Sequence, residues 1–151
     1  MKKSAFNKVD CEDFITRIEQ LTPETKALWG KMNVSKMLAH CNVTYEFLYD
    51  DIHPKPNPIM KLILKLFVKK LVVSDKAYRP NNPTAPQFII TDEKEFENEK
   101  TRLINYIRKT QELGETYFNG KESHSFGVLN TTEWNNMFIK HLDHHFKQFG
   151  V

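Results

Sequence analysis

Apolar residues recur every three to four positions along four stretches of the chain, the spacing that lines one face of a helix. The first predicted helix runs from Asp10 to about Leu21, with Phe14, Ile15, Ile18 and Leu21 as its apolar stripe. Asp10 reads as its N-cap and Val9 as a staple onto Phe14. Thr22-Pro23 ends it. The second predicted helix follows Asn33, a good N-cap, and runs from Val34 to Leu48. The third begins at Thr91 or Asp92 and reaches Leu113, with Phe96, Leu103, Ile104 and Ile107 facing the core and Gly114 as the stop. The fourth is capped by Asn130, has Glu133 at the capping-box position and continues to Phe149. Residues 51–58 carry Pro54, Pro56 and Pro58, and residues 74–90 carry Pro80, Pro83 and Pro86, so both read as irregular connections. No strand alternation and no internal repeat competes with this pattern. An all-α bundle of four helices follows, as a single domain spanning 1–151.

Residues 59–73 break the pattern. They are apolar except for a stripe of Lys61, Lys65 and Lys69 and the adjoining Lys70. Two readings fit such a segment: a helix lying on a membrane surface, or an extra short helix clamped over the bundle with only its lysine edge in water. The second is favoured, because so broad an apolar surface is costly to leave in water. At fifteen residues the run is too short to span a bilayer.

The net charge of +3 is too small to indicate a nucleic-acid partner, and no zinc-finger or arginine-rich pattern adds to it. Cys11 and Cys41 form no CxxC and no disulfide framework. No apolar run follows the first residues, so no signal peptide is read. The expectation is a cytoplasmic protein without stable membrane insertion, monomeric or homodimeric.

The chemistry concentrates in the last predicted helix. Three of the chain's six histidines, His141, His144 and His145, lie within five residues of it. At about 100° per residue, His141 and His145 fall roughly 40° apart, on the side of Trp134, Met137, Phe138 and Gln148. An imidazole pair one turn apart can grip a metal ion. The spacing alone equally fits histidines that favour the negative end of the helix dipole, or that are singly hydrogen-bonded in a core. His40 adds weight to the metal reading. It shares a face of the second helix with Met37, Cys41, Thr44, Phe47 and Leu48, and three buried imidazoles without a shared purpose would be costly to desolvate. His144 falls on the flank of its face and is not expected to be a ligand. Cys41 reads as core packing rather than as a nucleophile.

Several of these motifs together resemble the DinB/YfiT-like superfamily, and within it a branch of unknown function. They are Trp29-Gly30-Lys31-Met32, Met37-Leu38-Ala39-His40-Cys41, Phe126-Gly127 with Leu129 and Trp134, and Lys140-His141-Leu142-Asp143-His144-His145 with Gln148-Phe149-Gly150. The resemblance covers Asp10 to Val151. It implies a four-helix bundle holding a divalent metal on His40, His141 and His145, with Gln148 also fitting the motif. Zinc comes first, with nickel, iron or manganese as alternatives. It further implies a small-molecule substrate and a low-molecular-weight thiol as cosubstrate, since characterised relatives include thiol-dependent S-transferases. Related chains often carry proline after the loop histidine where this one has Ser125, so His124 is assigned no role.

Three neutral imidazoles leave a divalent ion an open position, the catalytic rather than the structural arrangement. The sequence therefore points to a metal-dependent enzyme, S-transferase-like or hydrolase, that activates a thiol or water. The alternative is a non-catalytic metal-containing or small-molecule-binding stress protein. Met37, Phe47 and Trp134 are expected to wall the site. No general base is singled out: Glu46 lies off the His40 face, and Glu24 and Glu115 fall in connections.

Overall fold

A computed structural model describes residues 3–151. It is mostly helical, and its elements follow the capping residues closely. Helix α1 spans Lys8–Glu19. Its N-cap is Asn7, whose side chain accepts from the backbone of Val9 and Asp10. The expected cap, Asp10, instead accepts from the Ser4 backbone N–H at 2.8 Å, and Val9 is 77% exposed rather than stapled. Asparagine three residues earlier outcompetes aspartate because its carbonyl reaches two free N–H groups of the first turn.

Helix α2 (Val34–Tyr49) begins at Asn33, which accepts from the Lys36 N–H as the sequence predicts. From Met37 to Glu46 every residue is buried, so α2 is enclosed on all sides. That burial includes polar side chains, which fall into two pairs, each one helical turn apart. His40 and Thr44 face the C-terminal helix and the 74–90 connection. Asn42 and Glu46 face the opposite way. The Asn42 amide donates to Glu99 through its carboxylate and backbone carbonyl. Arg102 bridges Glu99 and Glu46, and the His53 ring meets Glu46 at 2.7 Å. Buried charges survive only when paired in this way.

Helix α5 (Phe96–Phe118) starts at Glu95, later than the acidic run suggested. Its regular run ends at Gly114, the stop that the sequence predicts, and the span as far as Phe118 is two helical pieces joined across a kink there. That glycine takes φ +70°, ψ 175°, a non-helical conformation open to it without a Cβ, and a short second piece follows as far as Phe118. A hairpin of two short strands, β1 (Glu122–Ser123) and β2 (Gly127–Val128), follows, pairing Glu122 with Val128 and Ser123 with Gly127. Helix α6 (Thr131–Gln148) opens with the predicted capping box between Asn130 and Glu133. Helices α1, α2, α5 and α6 pack on one another around a common core. Tyr45 of α2 stacks between Tyr106 of α5 and Phe138 of α6, at 5.5 and 5.3 Å between ring centroids, and so joins three helices at one level.

Residues 59–73 are helical, but they do not clamp over the bundle as expected. Helix α3 (Pro58–Ile63), a π turn (Leu64–Val68) and helix α4 (Lys69–Val73) run on from one another. Lys61, Lys69 and the Val72–Val73 end are turned toward the protein, while Leu62, Leu66, Phe67 and Leu71 point outward. Lys61 pairs with Glu122 and Lys69 with Glu133. Lys140 of α6 donates to the carbonyls of Leu71 and Ser74, and Asn136 to that of Val73. Only Val73 is buried within these elements. Ion pairs and carbonyl contacts orient the segment, a choice that apolar periodicity cannot reveal. Among the described residues no helix is long and apolar enough to cross a membrane.

Candidate metal centre

Helix α6 presents His141 and His145 one turn apart on the side that meets α2, and α2 presents His40 to them. The three side chains offer nitrogen atoms that all lie within 4.8 Å of one another. His40 and His145 are buried and His141 is half-buried. Their ring centroids are 4.5–5.0 Å apart, with His145 edge-on to both others.

Hydrogen bonds to the far side of each ring decide which nitrogen faces inward. The Phe88 carbonyl lies 2.8 Å from His40 Nδ1. A carbonyl only accepts, so Nδ1 carries the proton and Nε2 keeps its lone pair. Gln148 orients His145 by the same logic. Its amide nitrogen donates to the Trp29 carbonyl at 2.8 Å, which turns Oε1 toward His145 Nδ1, also at 2.8 Å. His145 Nε2 is therefore the free acceptor. His141 Nδ1 lies 3.0 Å from the Thr44 hydroxyl, which can donate or accept. His141 Nε2 and His40 Nε2 face each other at 3.0 Å. Without a cation, His141 must donate to His40 across this gap while Thr44 donates to His141. A cation held by His141 Nε2 would require that nitrogen unprotonated, and Thr44 would then accept from His141 Nδ1.

This donor set fits a divalent ion. Tetrahedral zinc–imidazole bonds of about 2.0–2.1 Å put neighbouring nitrogens roughly 3.3 Å apart, close to the spacing of His40 and His141. Partners on the remote ring nitrogen are also the usual accompaniment of histidine ligands, because they fix tautomer and ring orientation. The electrostatics agree. Burial lowers the pKa of His40, and burial pushes His141 well below its ordinary value, with the other histidines adding to the shift. Burial and His40 bring His145 down to about 3. All three are neutral at pH 7, the protonation state that binds a metal.

His40, His141 and His145, singled out from the sequence, are thus brought together. His144 stays outside the group. Its ring meets Trp29 at 6.0 Å and Tyr78 at 5.7 Å, and it lines a surface cleft of about 120 Å³ with Lys140, Asp143 and Lys147. His124 is also elsewhere, at the hairpin turn, stacked on Phe47 at 4.3 Å with Nδ1 near the Ser125 hydroxyl. The apolar wall differs from the one expected. Trp134 packs on Phe118 and Phe138, and Phe47 packs on Phe88, His53 and His124. The ring lying against the histidines is Phe88, 5.2 Å from His40 and 5.7 Å from His141. Sequence reasoning missed Phe88 because it acts partly through its carbonyl and sits in a proline-rich connection. Pro86, which starts its single 3-10 turn, is the one signal that could have marked it. Cys41 is fully buried with its thiol pKa driven up by burial, and it donates to Met37 Sδ at 3.7 Å. It is core packing.

The Trp29-Gly30 motif also gains a role here. A Cβ on Gly30 would stand 2.7 Å from Gln148 Nε2, and the glycine has φ +83°. Gly30 therefore lets Gln148 reach the Trp29 carbonyl and stay aimed at His145.

A family model described as a protein of unknown function, DUF1569, matches residues 2–150. The chain belongs to the DUF1569 family. No curated protein and no solved structure matches it. DUF1569 membership thus supplies no reaction, and any functional reading of this family member has to come from the histidine group. That group could hold a metal ion.

Proposed function

We propose that this DUF1569 chain is a metal-dependent enzyme acting on a small molecule, built as a four-helix bundle of DinB/YfiT type, with His40, His141 and His145 as its metal ligands. One observation carries the reading. Three imidazoles from two helices bring nitrogen atoms within 4.8 Å of one another while an oxygen lies at hydrogen-bond distance from every Nδ1. Such an arrangement serves no packing purpose, and three desolvated rings cost free energy unless they bind something. Zinc is the first candidate, with nickel, iron or manganese next, because imidazole suits all of them and availability decides between them. A divalent ion on three neutral imidazoles supplies Lewis acidity that lowers the pKa of a water or thiol reaching it.

The chain's own residues perform the remaining tasks. Thr44, Gln148 and the Phe88 carbonyl orient the ligands. Gly30 keeps Gln148 in place. The Phe88 ring excludes water from the His40–His141 side and offers an apolar surface to an apolar electrophile. The reaction is S-transfer from a low-molecular-weight thiol or hydrolysis. The buried, unpaired Cys11 and Cys41 are in keeping with a reducing, cytoplasmic setting.

A second reading, a non-catalytic metal-containing or small-molecule-binding stress protein, draws on the same Phe88, whose ring and carbonyl both pack against the group. The experiment that separates them begins with metal analysis of untagged protein prepared without chelators. One divalent ion per chain is expected, lost in His40→Ala. Metal-loaded protein is then incubated with electrophiles and several low-molecular-weight thiols, and with ester and amide substrates. Thiol conjugation or hydrolysis that disappears in His40→Ala supports the enzyme. Full metal occupancy in His40→Ala overturns the ligand assignment, and bound metal without either activity leaves the binding protein.

A further inference from the structure

The outward apolar face of residues 59–71 is too large to be incidental. Leu62, Leu66, Phe67 and Leu71 are 52–75% exposed, and Ile59, Met60 and Ile63 adjoin them. Single exposed apolar residues elsewhere, such as Val9 and Leu28, need no explanation, but a contiguous patch marks an interaction site. The segment is not loosely attached. Its polar edge is fastened by Lys61–Glu122, Lys69–Glu133 and the Lys140 and Asn136 contacts described above, so the apolar side is held outward.

The charge around the patch identifies the occupant. Residues 52–79 hold seven of the 22 Lys and Arg and one acid, Asp75, while the whole chain has a net charge of only +3. The positive charge is therefore gathered here, and the remainder of the chain is net negative. Lys65 and Lys70, exposed beside the apolar side chains, make no ion pair among the described residues. An apolar face rimmed by free lysines matches the boundary of an anionic lipid layer, where acyl chains take the apolar groups and headgroups take the cations. A second copy of the chain fits less well. Pairing two such faces would bring the two lysine sets together, with repulsion at short range.

We propose that residues 59–71 dock the protein reversibly on an anionic lipid surface. The segment lies on that surface and does not cross it. The assay is flotation of the full chain with vesicles of phosphatidylcholine containing about 30% phosphatidylglycerol, beside vesicles of phosphatidylcholine alone. Binding to the anionic vesicles, weakened by salt, is the expected result. Lys65→Gln with Lys70→Gln should weaken it ~30-fold, at about fivefold per lysine removed from the headgroup region. Leu66→Ser with Phe67→Ser should weaken it more than about tenfold. All four side chains are exposed, so both variants should keep the wild-type circular dichroism and melting temperature, which are measured alongside. Three results would overturn the proposal: no binding to the anionic vesicles, undiminished binding by both variants, or a concentration-dependent dimer that Leu66→Ser with Phe67→Ser dissolves. The last would make a second copy the occupant.

Discussion

Replacing Gln148 tests whether the hydrogen bonds behind the histidines tune a metal site or merely fill space. Gln148 is 5% exposed and His145 6% exposed, so water cannot readily take over the lost contact. Gln148→Met keeps the volume but removes the acceptor for His145 Nδ1 and the donor to the Trp29 carbonyl. Two consequences should separate. In metal-free protein, two buried groups lose their partners, which costs about 1–3 kcal/mol of stability. In metal binding, His145 is no longer held in the Nδ1–H tautomer with its ring aimed inward. Losing such a partner typically weakens affinity roughly 10–100-fold, or ~1.4–2.7 kcal/mol. The absence of replacement water places Gln148→Met in the upper half of that range. Gln148→Glu is the control. A carboxylate still accepts from Nδ1 but cannot donate to Trp29, so affinity should return to within about threefold of wild type while the stability loss persists. Competition against a chromophoric chelator measures the affinity, and urea unfolding of the chelated protein measures the stability. If Gln148→Met binds zinc as tightly as wild type, or if the two variants lose affinity equally, the orienting role assigned to Gln148 is wrong.

Two further outcomes follow from the same structure. The metal-free protein should lose stability on acidification below about pH 6.5: an unfolded His145 takes a proton there, while the folded one waits until about pH 3. The unfolded state binds more protons in that window, so stability rises with pH through it and levels off above. His145 alone accounts for ~2 kcal/mol between pH 6.5 and pH 5, and equal urea midpoints at pH 7 and pH 5 would refute this. Arg102→Met should destabilise the fold by about 2 kcal/mol, because it leaves Glu46 and Glu99 buried without their cation. That is less than the roughly 3–5 kcal/mol of a fully enclosed pair, since Arg102 is 38% exposed. Metal affinity should be unchanged, and a urea midpoint equal to wild type would refute the role given to this network.

The sequence by itself determined the elements whose cause is local. Asn33 and Asn130 cap their helices because an asparagine carbonyl beside a helical period has free N–H groups within reach. His141 and His145 share a face because 3.6 residues complete a turn, and His40 lies on the apolar face of α2 for the same reason. Relations between distant segments belonged to the tertiary structure. Phe88 reaches His40 through a backbone carbonyl, which carries no side-chain signature. Gly30 matters because Gln148 packs against it from the far end of the chain. At α1 the competition between Asn7 and Asp10 turned on the N-terminal strand of chain, where Ser4 draws Asp10 away. Gly114 ends the first run of α5 as its residue type predicts, but the short piece after the kink, which buries Phe118 in the core, was not legible locally. The clearest division is at residues 59–73. Their amphipathic pattern was plain, but periodicity says only that a helix has two faces. Which face turns inward was decided by Glu122, Glu133, Asn136 and Lys140, all supplied by later parts of the chain, and they turned Lys61 and Lys69 in and left Leu62, Leu66, Phe67 and Leu71 out.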